Sequence, residues 1–501
     1  MNRTIPCAQQ ASRKTLNYAA ILTLLCFAFA VTSSAQAFKP LANFDYTNGY
    51  GPGAALVQGV DGNFYGTTGS GGERNSGVVF NVSPTGSLTV LQSLCGRTTC
   101  LTGTTPTSAL VLTPGGYWFG VAGGGGVHST GTIFQSTDGA RFRSDYSFCS
   151  QINCSDGENP TGLIQGADGN LYGSTYNGGA FNFGEIFKVD LGISQDRHVL
   201  FSPPTLLHSF CAEPSCADGA APAAPPIQAA DGNFYGTTFS GGANGSGTVY
   251  QLTPAGVLTT LYAFCSQPSC ADGGQPVARL VQASNGYFYG ITTTGGANGS
   301  GTIFRITSAG VLTTLHNICE QGCTNGGPSN AELIQANDGN FYGVSQSGGI
   351  WNEGTLFKMS PGGALVVRHH FSLHSGGFPE GALVQGTDGK LYGTTAGGGL
   401  QVAACAPSSG CGSVFSYDLG LTPFVKTLGY WAKPGTTVVI YGTDLSGTTN
   451  VTFNGTPAAS FSVVSATEVE ATVPAGATSG KIQVVTPGGA LSTLSEFHIR
   501  P

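Results

Sequence analysis

The chain has 501 residues, of which 40% are hydrophobic, 10% aromatic and 9% charged, with a formal net charge of −7. This balance excludes an intrinsically disordered chain, which needs high charge and few aromatic residues. No Lys/Arg-rich run is present, which argues against nucleic acid as a partner. The 79 glycines and 26 prolines predict many tight turns, as is typical of β-structure.

The first 37 residues have the pattern of an export signal. Arg3, Arg13 and Lys14 precede the apolar run Ala19–Val31, and the small residues of Ala35–Ala37 offer a cleavage site. The run is short for a membrane span, and no later segment is long and apolar enough. We therefore predict a cleaved signal peptide over residues 1–37 and an exported protein that is extracellular, at the cell surface or periplasmic, with no transmembrane segment in the mature chain.

An eight-residue motif then recurs along most of the chain. DGNFYGTT is accompanied by five close or identical copies and one weaker copy, GGYWFGVA; the seven begin at Asp61, Gly115, Asp168, Asp231, Asn285, Asp338 and Asp388. Each copy lies in a unit with four short β-patterned runs, for example PPIQAA, NFYGTT, GTVYQLT and VLTTLYAF. Asp-Gly and Pro-Ala-Gly separate runs within this unit and are typical of hairpin turns. Seven such units predict a seven-bladed β-propeller of four-stranded blades over residues 38–420.

The seventh unit ends at Ser413–Leu419 without a fourth strand. The segment Phe38–Phe44 is similar to that missing strand, so we predict that it pairs with the last blade and closes the ring. The repeated Asp is interpreted as a turn residue, since one Asp beside Gly and Asn supplies too few oxygens for calcium. A Gln recurs in the first strand of six units and either lines the channel or, as we favour, ties neighbouring blades together; these are Gln58, Gln165, Gln228, Gln282, Gln335 and Gln385.

Twelve cysteines follow the predicted signal peptide and fall into six close pairs. In an exported chain this arrangement predicts six short disulfides. Zinc is the alternative, but the pairs are far apart and have no His at a suitable spacing. The predicted disulfides join Cys95 to Cys100, Cys149 to Cys154, Cys211 to Cys216, Cys265 to Cys270, Cys319 to Cys323 and Cys405 to Cys411.

Two resemblances add to this interpretation. The repeat units, such as LVQGVDGNFYGTTGSGGERNSGVVFNVSPTGSLTVL, resemble the GloVer tandem repeat of exported bacterial proteins, a family from which no activity transfers to individual residues. Residues 421–501 contain PGTTVVIYGTDL, VTFNGTPA and VPAGATSGKIQVVTPGG and resemble an IPT/TIG immunoglobulin-like domain. That resemblance implies a small β-sandwich without disulfides, which mostly serves as a spacer or docking domain.

The loops before the third strand of each unit vary most, and the predicted disulfides share their face of the propeller. Trp351, Phe181 and Phe183 are aromatic residues in these loops, and Glu353 is an acid in one of them. We take these four residues as candidates for ligand binding. The alternative is that the aromatic residues only pack over neighbouring loops.

No motif predicts a catalytic residue, a metal site or a cofactor. The sequence therefore favours a non-catalytic secreted or surface protein that binds a glycan or a protein. Its first rival is an extracellular polysaccharide hydrolase or lyase, which needs acids that converge at the channel mouth. Glu73, Glu158, Glu353 and Glu380 lie in suitable loops. A structural envelope component is the third alternative.

Overall fold

The computed structural model describes residues 37–96, 100–106, 108–137, 139–193, 199–400, 404–405 and 410–500. Apart from Ala37, the predicted signal peptide lies outside the described residues. The predicted all-β fold is confirmed, since the described residues form 41 strands and only four short 3₁₀ helices. The 3₁₀ helices span Ile152–Cys154, Pro214–Cys216, Pro268–Cys270 and Glu320–Cys323.

The described part of the repeat region forms seven antiparallel sheets of four or five strands, numbered here in chain order, and one separate two-stranded hairpin. Strand β1 (Ala37–Asn43) precedes them and joins the last one. Sheet 1 contains β2 (Val57–Gln58), β3 (Phe64–Thr67), β4 (Val78–Val82) and β5 (Leu88–Ser93). Sheet 2 contains β6 (Val111–Leu112), β7 (Trp118–Ala122), β8 (Thr132–Ser136) and β9 (Arg143–Ser147). Sheet 3 contains β10 (Glu158–Gln165), β11 (Leu171–Asn177), β12 (Glu185–Val189) and β15 (Thr205–Ser209). Between β12 and β15 the chain forms a separate hairpin of β13 (Leu191–Ile193) and β14 (Val199–Phe201).

Sheets 4 to 7 repeat this plan. Sheet 4 contains β16 (Ile227–Gln228), β17 (Phe234–Thr238), β18 (Thr248–Leu252) and β19 (Leu258–Ala263). Sheet 5 contains β20 (Gly274–Pro276), β21 (Val281–Gln282), β22 (Phe288–Thr294), β23 (Thr302–Ile306) and β24 (Leu312–Asn317). Sheet 6 contains β25 (Ile334–Gln335), β26 (Phe341–Ser345), β27 (Thr355–Met359) and β28 (Leu365–His370). Sheet 7 contains β29 (Val384–Gln385), β30 (Leu391–Thr395), β31 (Ser413–Asp418) and β1.

The pairing predicted for the N-terminal segment is present. Strand β1 runs antiparallel to β31, from Ala37 opposite Asp418 to Asn43 opposite Ser413, with one irregularity between Pro40 and Ala42. The edge of β31 that would otherwise be open is therefore hydrogen-bonded.

The repeated motif stacks each sheet on the next. At five of the seven junctions the motif's Tyr contacts an aromatic residue at the motif's Phe position in the following sheet, as in Tyr235 on Phe288, with ring centroids 4.2 Å apart. Leu171 and Leu391 occupy that position at the other two junctions. The same contact joins sheet 7 to sheet 1, where Tyr392 stacks on Phe64 at 3.9 Å. The Gly after the Tyr makes room for the third strand, since a Cβ at Gly66 would lie 2.7 Å from a buried ring. The motif therefore recurs because each sheet buries its faces against its neighbours.

The motif Asp acts as a turn residue. Asp231 accepts hydrogen bonds from the Asn233 backbone N–H at 3.0 Å, the Asn233 side chain at 3.1 Å and the Tyr235 hydroxyl at 2.7 Å. Burial raises the pKa of Asp231, but these hydrogen bonds outweigh it and hold the pKa below its usual value. The carboxylate thus links the turn to the Tyr that contacts the next sheet.

In five of the six sheets that carry it, the recurring Gln ties its sheet to the preceding one, as the favoured interpretation states. Its Oε1 accepts a hydrogen bond from a backbone N–H in the preceding sheet's Asp-Gly turn region, and its Nε2 bonds its own turn in several sheets. The links join Gln228 to Ala167, Gln282 to Ala230, Gln335 to Ser284, Gln385 to Asn337 and Gln58 to Thr387, at 2.6–3.0 Å. Sheet 2 departs from this pattern in two ways. Leu112 occupies the Gln position, and Pro114, which has no N–H to donate, occupies the position of the donor.

The C-terminal residues form a β-sandwich. One sheet has the order β32 (Lys426–Thr427), β34 (Thr437–Tyr441), β38 (Glu468–Thr472), β37 (Ser460–Val463), and the other has β36 (Thr456–Pro457), β35 (Asn450–Phe453), β39 (Ile482–Thr486), β40 (Gly489–Ser492). A short parallel pair, β33 (Trp431–Ala432) and β41 (His498–Ile499), completes it. Buried residues from both sheets, among them Ile440 and Phe453, form one core. Among the described residues, no helix is long and apolar enough to cross a membrane.

Candidate functional site

The six predicted cysteine pairs all lie at disulfide distance, with Cα–Cα separations of 3.8–5.2 Å. The pairing predicted from the sequence is therefore the pairing that the structure contains. It joins Cys95 to Cys100, Cys149 to Cys154, Cys211 to Cys216, Cys265 to Cys270, Cys319 to Cys323 and Cys405 to Cys411.

Five of these cysteine turns lie between two sheets and hydrogen-bond to the loop before the third strand of the following sheet, called here the strand-3 loop. In sheet 2 the Gly126 N–H donates to the Cys100 carbonyl at 2.9 Å, and in sheet 5 the Gly296 N–H donates to the Cys270 carbonyl at 2.8 Å. Asp272 secures the latter turn by accepting from the Ser266 N–H at 2.9 Å. Cysteine turns and strand-3 loops therefore form one braced surface, the loop face.

The sixth pair differs from the other five, because it lies within the strand-3 loop of sheet 7 and is buried. Cys405 is 1% exposed and Cys411 is fully buried, and both belong to the same apolar cluster as Phe44. The Cys411 carbonyl accepts a hydrogen bond from the Gly51 N–H at 3.1 Å. This pair therefore lies in a strand-3 loop, as predicted from the sequence, and braces that loop from its buried side.

Phe181 and Trp351 occupy the same place in two strand-3 loops. The loops read GGAFNFG from Gly178 and GGIWNEG from Gly348. In each, the following Asn has a positive φ, 63° at Asn182 and 58° at Asn352, and its side chain accepts a hydrogen bond from the first Gly N–H. This local hydrogen bonding projects the aromatic side chain from a defined turn.

The aromatic candidates are exposed, but the structure does not place them together. Trp351 has 63% of its surface exposed, Phe181 48% and Phe183 44%. Phe181 and Phe183 lie in sheet 3, whereas Trp351 lies in sheet 6, with sheets 4 and 5 between them in chain order. The loop face therefore carries two separate aromatic tips.

Glu353 takes the place of Phe183 in its loop and is directed partly into the protein. Its Oε2 is buried without a hydrogen-bond partner among the described residues, and burial raises the pKa of Glu353. Its backbone carbonyl accepts from the Phe378 N–H at 2.8 Å. The four site candidates thus differ in accessibility, and the aromatic residues are the more accessible ones.

The first strands of sheets 1, 2, 3, 5, 6 and 7 line a central cavity of about 540 Å³. Each of the seven sheets contributes one half-buried β-branched aliphatic residue from the same position of its first strand. These residues line either this cavity or the adjoining cleft. This aliphatic ring comprises Val57, Val111, Ile164, Ile227, Val281, Ile334 and Val384. Each of these residues also packs against the edge of an inter-sheet core, so only part of its side chain faces the cavity or the cleft, whereas the preceding residue, such as Leu56, is buried.

Charged residues lie at the mouth of this cavity on the loop-face side. The mouth is a smaller cavity of about 140 Å³, lined mainly by Gly, Ala and Pro. Arg279 of sheet 5 and Glu332 of sheet 6 form a salt bridge there, with Nη2 and Oε2 3.0 Å apart. Glu380 lines the same mouth, accepts a hydrogen bond from Gln346, and has its pKa raised by burial.

Of the acids named from the sequence, Glu380 lines the mouth. Arg279 and Glu332 also line it, but the sequence did not single them out as site residues. Both stand immediately before the Leu of the first strand, where most other units have Ala, Gly or Pro. A position-by-position comparison of the seven units contains the signal that identifies them.

The C-terminal sandwich lies against the Asp-Gly-turn side of the repeat region. The Phe424 N–H donates to the Thr387 carbonyl at 3.0 Å, and the Thr387 and Thr443 hydroxyls are 2.9 Å apart. Lys426 donates to the Gln385 carbonyl at 2.9 Å, and Phe424, Lys426 and Leu494 line the central cavity. The sandwich therefore covers part of the cavity's end opposite the loop face.

Comparison with known proteins defines the two regions. The chain belongs to the Gloeobacter/Verrucomicrobia repeat family, whose model matches residues 25–212 and 201–405. Residues 423–499 match the IPT/TIG domain. Both resemblances inferred from the sequence are thereby confirmed. No match was found among curated proteins.

The solved structures that match this chain have different roles and low identity. The extracellular domain of a hybrid two-component system from B. thetaiotaomicron is 9% identical, with a TM-score of 0.47; the match covers 82% of this chain and 46% of that one, so the chain spans about half its length. An ulvan lyase of polysaccharide lyase family 25, bound to -[GlcA(1-4)Rha3S]-, is 12% identical, with a TM-score of 0.44 and coverage of 77% and 96%. A gluconolactonase from Xanthomonas campestris is 12% identical, with a TM-score of 0.36 and coverage of 74% and 87%.

Proposed function

We propose that residues 38–420 form a closed seven-bladed β-propeller, followed by an immunoglobulin-like domain at residues 421–501, in an exported protein with its signal peptide at residues 1–37. The pairing of β1 with β31 and the contact of Tyr392 with Phe64 support ring closure. Six cysteine pairs at disulfide distance support export into an oxidising compartment.

The proposed function is non-catalytic binding of an extracellular glycan or protein on the loop face. The observation that carries this proposal is the exposure of Phe181 and Trp351 at equivalent positions of braced loops. A planar aromatic side chain on a fixed turn packs against an apolar ligand face at a small entropic cost, because it has only two side-chain torsions. Two tips on separate sheets suit an extended ligand better than a small one.

A glycan and polysaccharide array tests this proposal with the mature chain and its Trp351→Ala and Phe181→Ala variants. We expect each single variant to weaken binding and the double variant to abolish it. Phe461→Ala serves as the matched control, because Phe461 is an exposed aromatic residue of the C-terminal sandwich, at 38% exposure. Binding that survives in the double variant, or is lost equally in the control, would contradict a loop-face site. If no glycan is bound, capture of a protein partner that depends on the same two residues would support the protein arm of the proposal.

A second candidate function is cleavage of a polysaccharide, as a hydrolase or a lyase. One observation favours it: Glu380, Glu332 and Arg279 line the same mouth, where the raised pKa of Glu380 suits a proton donor. Incubation with neutral and acidic polysaccharides would reveal new reducing ends, or new ultraviolet absorbance from unsaturated ends in the lyase case. Glu380→Gln should abolish such activity, and Glu73→Gln, in the strand-3 loop of sheet 1, is the control. Absence of any cleavage across the panel would leave the binding function as the conclusion.

A further inference from the structure

Lys426 is a half-buried ammonium group without a matching acid. Among the described residues, no carboxylate lies within 4.0 Å of its Nζ, whereas Lys188, Lys358 and Lys390 all have such partners. Its hydrogen bonds run to the Gln385 carbonyl at 2.9 Å and the Gln58 Oε1 at 3.5 Å. Burial lowers the pKa of Lys426 to about 8, with the nearby Asp388 acting in the opposite direction. A cation in this position gains most from an anionic partner.

Lys426 lines the same cavity as the aliphatic ring. The wall that the repeat region supplies is therefore mainly apolar, and the sandwich adds Phe424, Leu494 and one ammonium group at the end opposite the loop face. The cavity volume of about 540 Å³ falls within the range of roughly 300–1,000 Å³ that is usual for small-molecule sites. The other two charged residues of the wall, Arg279 and Glu332, are paired in a salt bridge, so Lys426 supplies the cation without a carboxylate partner. The cavity is therefore complementary to a molecule that has an apolar body and one anionic end.

A cleft beside the sandwich provides access. It has a volume of about 650 Å³ and lies between sheets 3 to 5 on one side and residues such as Tyr430 and His498 on the other. The cleft and the central cavity share Ile164 and Arg279 as wall residues. The sandwich is attached over sheets 6, 7 and 1 through Asn337, Thr387 and Gln58. On the cleft side Arg500 donates a hydrogen bond to the Ala167 carbonyl at 3.3 Å, and the cleft lies beside this contact.

We propose that the central cavity binds an amphipathic monocarboxylate, with its aliphatic or aromatic body inside the aliphatic ring and its carboxylate on the Lys426 ammonium group. The carboxylate would supply the acid that Lys426 lacks and form a charge-assisted hydrogen bond. This site is separate from the loop face and does not depend on the function proposed there. In this arrangement the C-terminal sandwich completes a binding site rather than acting only as a spacer.

Isothermal titration calorimetry of the mature chain with octanoate, octanol and acetate tests the proposal without any variant. Octanoate and octanol share an apolar body, whereas octanoate and acetate share a carboxylate. We expect octanoate to bind at least about tenfold more tightly than either of the others, because only octanoate uses both the ring and the ammonium group. Equal affinity for octanoate and octanol would refute the role of Lys426, equal affinity for octanoate and acetate would refute that of the ring, and no binding of octanoate would overturn the site.

Two variants separate the parts of the site. Lys426→Met keeps an apolar side chain of similar length and should reduce octanoate affinity at least about tenfold while leaving octanol unchanged. Lys433→Met is the matched control, because Lys433 is exposed on the same sandwich. Ile334→Trp fills the ring from sheet 6 and should abolish octanoate binding in a chain that keeps its far-ultraviolet circular dichroism. Unchanged octanoate affinity in Lys426→Met or in Ile334→Trp would overturn the assignment.

Discussion

Glu185 is a buried acid in a place where neighbouring sheets have a hydroxyl. It begins β12 opposite Thr175, is only 1% exposed, and its Oε2 has no hydrogen-bond partner among the described residues. In sheet 4 the equivalent pair, Thr238 and Thr248, joins its hydroxyls at 2.8 Å. Burial, with a smaller contribution from Asp156, raises the pKa of Glu185 to about 8. We predict that Glu185→Thr stabilises the protein, and that it does so most at alkaline pH.

The magnitude follows from the linkage between protonation and folding. The folded state keeps the proton up to about pH 8, whereas the unfolded chain releases it near the ordinary value of 4.5. The free energy of unfolding contributed by this group is therefore greatest below pH 4.5, decreases as the pH rises, and levels off above about 8. The interval between these pKa values corresponds to at most about 5 kcal/mol. We expect the free energy of unfolding to change by about 2–3 kcal/mol across this interval, less than the upper limit, because local relaxation admits water to the carboxylate.

The assay is urea unfolding followed by tryptophan fluorescence at pH values from about 5 to 9. This range covers most of the interval between the Glu185 pKa of the unfolded chain and that of the folded chain. Glu185→Gln is the matched control, since it keeps the size of the side chain and removes only the titration. Wild type should lose stability across this range relative to both variants, and Glu185→Thr should exceed Glu185→Gln because it can form the hydroxyl pair with Thr175. Parallel pH profiles for wild type and Glu185→Gln would refute the reasoning.

Three further predictions concern the links that hold the sheets together. Gln58→Leu introduces the residue that sheet 2 has at this position and leaves the Thr387 N–H unpaired, so it should lower the free energy of unfolding by about 1–3 kcal/mol. An unchanged urea midpoint would show that this hydrogen bond between sheets does not stabilise the fold. Removal of residues 38–44 exposes the edge of β31 and should cause self-association in size-exclusion chromatography, whereas a stable monomer would argue against ring closure by β1. Cys265→Ser with Cys270→Ser opens a short loop and should cost at most about 2 kcal/mol, with little change in circular dichroism; unfolding of the whole chain would contradict this local role.

Much of the fold could be predicted from the sequence because its determinants are local. The hairpin turns, the motif Asp and the cysteine pairs are set by residues within a few positions of one another, and the sevenfold recurrence shows that one solution is used repeatedly. The missing fourth strand of the last unit and the similar segment Phe38–Phe44 even indicated the pairing of β1 with β31. Long-range pairing was predictable there because an incomplete repeat identifies its own missing part.

The candidate sites depend on the tertiary structure, because side chains far apart in the chain meet only when the sheets assemble. Phe181 and Trp351 could be predicted as exposed loop residues, but only the sheet order shows that they form two separate tips. The Arg279–Glu332 salt bridge joins neighbouring sheets across 53 residues, and no local pattern pairs them. The position of Lys426 beneath the aliphatic ring requires the sandwich to dock on the repeat region, a packing contact between two independently patterned parts. The sequence by itself thus determined the strands, turns and cysteine pairs, whereas tertiary packing decided which charges and aromatic residues share a surface.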